Sequence, residues 1–149
     1  MQAIYSTTAA ARFLDREAAV AALRERAAAL VRADANVDSV ALFGSLARGE
    51  ATSRSDADVL LLLSESHGIW VDRIPRYSHF FEGLGLDVDV FPLTRDEWAC
   101  RLEEGDLFCH RIAETYLCLA GKAPAGEGGP AGGAATELSR AGPVAPDYA

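Results

Sequence analysis

The sequence predicts an α/β fold, and three observations carry that expectation. Three short apolar runs, ending at Phe43, Leu63 and Phe91, have the length and composition of strands. Between and around them lie stretches rich in Ala, Leu, Arg and Glu, with apolar residues at helical spacing. The chain has 149 residues, 50% hydrophobic and 24% charged, which suits one soluble domain with its own core.

The elements follow in order. Asp15 to Arg32 reads as an amphipathic helix, with Asp15 as its cap and Leu23, Ala27, Leu30 and Val31 on the apolar side. Its Arg24, Arg26 and Arg32 read as a solvated face. Residues 34–38 turn into a first strand, Ser39 to Phe43, and a short helical turn is expected at Leu46–Arg48. A second strand, Asp56 to Leu63, is almost wholly apolar after its aspartates, as a strand covered on both faces would be.

Helical character over His67 to Glu82 is interrupted near Pro75 and ended by Gly83 and Gly85. A third strand, Leu86 to Phe91, is closed by Pro92. Thr94 caps a helix from Arg95 to Glu103, and Gly105-Asp106 opens a last helix, Leu107 to Ala120. The final 29 residues hold seven of the 13 glycines and four of the six prolines. Residues 1–120 are therefore expected to form the domain, and 121–149 a disordered tail.

Charge and cysteine usage narrow the function classes. A net charge of −8 argues against general nucleic-acid binding through phosphates. It leaves room for a compact anionic substrate held by a local basic group. No run of about twenty apolar residues appears, and the start lacks a basic segment leading into an apolar one, so neither a membrane span nor secretion is expected. Cys100, Cys109 and Cys118 fit no zinc spacing and read as reduced thiols, consistent with a cytoplasmic location.

The chemistry concentrates between the first two strands. Val40-Ala41-Leu42-Phe43 stops at Gly44-Ser45; ten residues later Asp56-Ala57-Asp58 opens the second apolar run. Alternation in a strand puts Asp56 and Asp58 on one face, with Cα atoms ~6–7 Å apart. Adjacent carboxylates repel, and a divalent cation with a preference for hard oxygen ligands, such as Mg²⁺, relieves that cost. A Gly-Ser turn lets backbone N–H groups and a hydroxyl approach a phosphate. Together these features suggest phosphoryl or nucleotidyl transfer.

Gly44-Ser45 followed after ten residues by Asp56-Ala57-Asp58 resembles the signature of the polymerase-β-like nucleotidyltransferase superfamily. The longer pattern Gly-Ser-x-Ala-Arg-Gly-x-Ala, then Ser-Asp-x-Asp, also fits residue by residue. The resemblance spans roughly Ser39 to Leu93, and the chain looks most like the minimal nucleotidyltransferases often paired with a HEPN-domain protein. It implies a small, mixed, twisted sheet with packed helices. It also implies a third carboxylate on the next strand. Asp89, within Val88-Asp89-Val90-Phe91, fits that pattern better than Asp87; the alternative is that both merely solvate an edge strand.

On this resemblance, Asp56, Asp58 and Asp89 are the catalytic and metal-holding residues. Gly44, Ser45 and Arg48 hold the triphosphate of ATP or another NTP, though Arg48 equally suits a surface salt bridge. Ser55 reads as a turn residue, and His67 and His79 as exposed or capping. The acceptor implied is a tyrosine of a HEPN toxin, with this chain as antitoxin. That reading expects an exposed apolar or aromatic patch, with Trp70, Tyr77, Phe80 and Trp98 as candidates, each individually more at home in a core. Two other readings stand beside it: a docking module of the same fold that needs no catalysis, and a stand-alone transferase acting on an aminoglycoside-like hydroxyl compound.

Overall fold

Asp15 begins the first helix as its residue type suggests. In the computed structural model, which describes residues 5–7, 12–50 and 56–124, its carboxylate accepts a hydrogen bond from the Ala18 N–H at 3.1 Å. Before it, β1 (Tyr5–Thr7) and β2 (Arg12–Leu14) pair antiparallel, a small hairpin absent from the sequence-based expectation. Helix α1 (Arg16–Ala33) follows. Then come β3 (Val37–Phe43), the one-turn α2 (Ser45–Arg48) and β4 (Ala57–Leu63).

The expected helix over His67–Glu82 is three short pieces: a 3₁₀ turn at Trp70–Arg73, α3 (Ile74–Ser78) and a second 3₁₀ turn at His79–Phe81. Pro75 lies in the first turn of α3, where its missing N–H costs nothing, so it opens a helix instead of interrupting one. Strand β5 (Val88–Thr94) runs through Pro92 and does not stop before it. Pro is tolerated there because β5 is an edge strand. The buried guanidinium of Arg73 covers this edge, donating to the Pro92 carbonyl at 2.9 Å.

Thr94 caps α4 (Arg95–Glu103) through a full capping box with Glu97. Helix α5 (Leu107–Thr115) is shorter than expected, and Leu117–Gly121 forms a further strand, β6. The reason is backbone demand: without β6, the outer N–H and C=O groups of β3 would lack ladder partners. Gly121 suits this place, since a Cβ there would lie 2.4 Å from the Asp38 carbonyl oxygen and its φ is +75°. Of the expected tail, Gly121 to Pro124 is described and residues 125–149 lie outside the described residues.

The four-stranded sheet has the order β5-β4-β3-β6. Strand β4 pairs antiparallel with β3 and parallel with β5, so the sheet is mixed, and the architecture is α/β as expected. Helix α1 covers one face through Leu23, Ala27 and Leu30 against Val40, Leu42, Val59 and Leu61. Helices α4 and α5 cover the other with Trp98, Cys109 and Ile112 over Ala41, Phe43, Leu60 and Leu62. A register shift between Val37 and Ser39 lets Val37 and Val40 serve the same face. Each leucine fully buried here contributes about 1.5–3 kcal/mol, so the centre of the sheet is the best-anchored part of the molecule.

Candidate active site

Alternation along β4 sends Ala57, Val59 and Leu61 toward α1 and leaves Asp58, Leu60 and Leu62 on the opposite face. Asp58 is therefore at the open end of the α4–α5 side, where the sheet meets solvent. Its two in-register neighbours are Phe43 on β3 and Asp89 on β5. Adjacent strands lie ~4.8 Å apart, so the Asp58 and Asp89 carboxylates leave neighbouring strands on the same face. Asp87 also lies along this edge, but its backbone is engaged, accepting from the Ala57 N–H at 2.9 Å. Of the two candidates on the third strand, Asp89 is the one brought directly opposite Asp58.

Gly44 closes the other side. Its φ of 80° and ψ of −161° lie where only glycine is at ease. A Cβ built on it would stand 2.5 Å from Asp58 Oδ2. The turn and the carboxylate thus share one small volume. Ser45 then begins α2, whose buried Leu46 anchors it to the core. The Gly44 carbonyl accepts from the Arg48 N–H at 3.1 Å, and the Ser45 carbonyl from the Glu50 N–H at 2.9 Å.

Arg16, from the first turn of α1, holds this short helix from outside. Its Nε donates to the Leu46 carbonyl at 2.8 Å and its Nη2 to that of Ala47 at 3.0 Å. Nothing in the local sequence distinguishes Arg16 from the other arginines of α1. Arg48 makes a surface ion pair with Glu50 at 3.0 Å, with 42% of its side chain exposed. Asp56 is exposed just ahead of β4, and Ser55 lies outside the described residues. His67 and His79 are exposed, His79 stacking on Phe80.

The electrostatics single out Asp58. Burial pushes its carboxyl above the usual carboxylate value, the negative charges of Asp89 and then Asp56 add to this, and Arg48 opposes it. The four residues therefore act on one another through space. Among the described residues, no three or more His, Cys, Asp or Glu side chains are already gathered as a metal cluster. The donor chemistry nonetheless fits a divalent cation. Asp56, Asp58 and Asp89 offer hard oxygens only, and the mutual repulsion felt at Asp58 is the cost such an ion removes.

The four candidate aromatic residues are core or half-buried, as each is individually expected to be. Tyr77 and Trp98 are core residues, each 3% exposed, while Trp70 and Phe80 are half-buried. Among the described residues, the large apolar side chains left exposed are Ile69, Val71, Leu107 and Phe108. Phe43, Phe91, Phe108 and Trp70 form a ring cluster beside the carboxylates. Phe91 stands two residues beyond Asp89, and α5 adds Phe108 to the cluster. Among the described residues, no helix is long and apolar enough to cross a membrane.

No curated protein matches the chain. A crystal structure from Sulfolobus solfataricus, of a protein provisionally assigned as a nucleotidyltransferase, is similar with 26% identity and a TM-score of 0.48, covering 57% of this chain and 75% of that one. The family described as nucleotidyltransferase domain matches residues 22–111, more than half of the chain and inclusive of Gly44, Asp58 and Asp89. The chain belongs to the nucleotidyltransferase domain family.

Proposed function

We propose that this chain transfers a nucleoside monophosphate, AMP from ATP, to a hydroxyl acceptor, with Asp56, Asp58 and Asp89 as the catalytic carboxylates. The observation that carries the reading is the in-register pairing of Asp58 with Asp89 beside the side-chain-free turn at Gly44. Gly44 and Ser45 would receive the triphosphate through backbone N–H groups and the Ser45 hydroxyl. Arg48 would leave Glu50 to pair with a phosphate oxygen, a modest change for so exposed an ion pair.

Asp56, Asp58 and Asp89 would hold Mg²⁺, which when bound supplies charge stabilisation on the phosphate oxygens. The chain's own part is to position and to move a proton. Asp89, exposed on the edge strand, would meet the incoming hydroxyl and accept its proton. The acceptor oxygen then bonds to the α-phosphorus, the bond from that phosphorus to the bridging oxygen breaks, and pyrophosphate leaves with the electron pair.

For the acceptor we favour a tyrosine of a HEPN-family partner protein, with this chain as the antitoxin of the pair, acting in the cytoplasm. The exposed Ile69, Val71 and Leu107 support it, because they offer a protein partner apolar side chains at the surface. A docking role without catalysis is the second reading, and a small aminoglycoside-like acceptor the third. The acidic sequence, net charge −8, favours the last to the extent that it attracts polycations.

The test uses ATP labelled at the α-phosphate, Mg²⁺ and lysate of the source cells, with γ-labelled ATP in parallel. A protein band labelled only from the α-position, and lost with Asp58→Asn, is expected. Label from the γ-position would overturn nucleotidyl transfer in favour of phosphoryl transfer. No labelled band, together with neutralisation of a partner by Asp58→Asn, would favour docking.

A further inference from the structure

We propose that the ring of Phe108 is the stacking platform for the nucleobase, which names the base-binding part of the site proposed above and rests on that reading. Phe108 is 47% exposed, yet its ring is fixed on two sides. It meets Phe43 nearly edge-on, with centroids 5.6 Å apart and planes at 86°, and Phe91 at 5.7 Å and 55°. A phenylalanine serving only the core would be covered, and one serving nothing would be loose. This one is held in place and half open.

Its supports are the residues that flank the carboxylate corner. Phe43 is joined directly to Gly44 and lies in register with Asp58. Phe91 shares a face of β5 with Asp89, two residues along and ~6–7 Å away. The platform therefore begins within one nucleoside length of the turn that would hold the phosphates. The start of α5, which carries Phe108, is itself fixed, because the Asp106 side chain accepts from the Cys109 N–H at 3.2 Å. Stacking reads the flat face that every base possesses, so the platform takes nucleobases without selecting a hydrogen-bonding edge.

Isothermal titration of the full chain with ATP and, separately, with inorganic triphosphate in the same Mg²⁺ buffer tests this. Phe108→Leu keeps an apolar side chain on α5 and removes the π face. It is expected to weaken ATP binding by roughly five- to a hundredfold while leaving triphosphate binding within about twofold. Phe108→Trp is expected to keep or strengthen ATP binding. Unchanged ATP binding by Phe108→Leu, or equal loss of ATP and triphosphate, would overturn the platform while leaving nucleotidyl transfer standing. Failure of the unmodified chain to bind either ligand would overturn both.

Discussion

Asp58 Oδ2 occupies the space that a side chain on Gly44 would need: the two would stand 2.5 Å apart. The motif glycine is thus required twice, for its φ of 80° and for the carboxylate it admits. Gly44→Ala is expected to cost about 1–3 kcal/mol through backbone strain and to displace Asp58 as well. Urea denaturation checks the first effect. Nucleotidyl transfer measured under conditions where the variant is still folded checks the second, with a loss of at least about a hundredfold expected from misplacement.

The carboxylates separate function from stability. Asp58 carries a proton affinity raised by burial and by Asp89 and Asp56, so its ionised form is disfavoured in the folded chain. Asp58→Asn removes that cost, and stability at neutral pH should rise while transfer is lost. The sign follows from linkage: a carboxyl raised on folding opposes stability most above its folded value, so the gain should shrink as pH falls into the carboxylate range. Thermal melts of both proteins between pH 4 and pH 8, each checked for reversibility, report it. A uniformly less stable variant would mean that Asp58 makes contacts that outweigh its repulsions.

Asp89 and Asp87 are two residues apart on one edge, and the register distinguishes them. Asp89 lies opposite Asp58, whereas Asp87 offers its backbone carbonyl to Ala57. Asp89→Asn should lower kcat by a hundredfold or more, the scale of losing a positioned base. Asp87→Asn should stay within a few-fold. The reverse order in a transfer assay would move the third carboxylate to Asp87.

Much of this corner was legible because its signals are local. Gly44 and Asp58 are marked locally, by a turn residue and by the opening of an apolar run; Asp56 stands just ahead of β4, outside the alternation expected of it, and Asp89 as a third carboxylate is implied by the family resemblance. The Asp15 cap and the Thr94 start of α4 follow from residue type. What escaped depends on partners distant in sequence. Leu117–Gly121 is too short and mixed to be told from the end of a helix, and becomes a strand because β3 has an edge to fill. Pro92 looked like a strand terminator because its position at the sheet edge is a property of the topology. Arg16 and Arg73 act on segments far along the chain, and no local pattern marks them; helical spacing puts Leu107 and Phe108 on the apolar face of the last helix with Ile112 and Ala113, yet both are exposed.

Arg73 gives the fold a pH dependence of its own. Its Nη1 and Nη2 reach the two Glu97 oxygens at 2.8 and 2.9 Å, a bidentate pair with the guanidinium buried. Hydrogen bonding from Arg73 holds the Glu97 carboxyl below its usual value. A depressed carboxyl stabilises the fold fully above the ordinary glutamate value and loses that contribution as pH falls through the folded one. Glu97→Gln keeps an oxygen for the capping box and removes the charge. It should cost about 1–2 kcal/mol at neutral pH, discounted for the exposed glutamate side. Its stability should also fall less steeply than that of the parent below about pH 4.5. Urea midpoints at pH 7 and pH 4 suffice to compare the slopes.

Cys109 offers a probe of the face that carries the site. It is fully buried on the inner face of α5, and burial pushes its thiol up to about 11. Cys100 is exposed on α4, where its hydrogen bond to Glu104 also raises it. At pH 8 an alkylating reagent should therefore label Cys100 slowly and leave Cys109 untouched for as long as α5 stays seated. Labelling followed by mass spectrometry, repeated across a urea series, should show Cys109 reacting in step with global unfolding. Should Cys109 react well below the unfolding midpoint, α5 would be opening locally, and with it the ring of Phe108 beside the carboxylates.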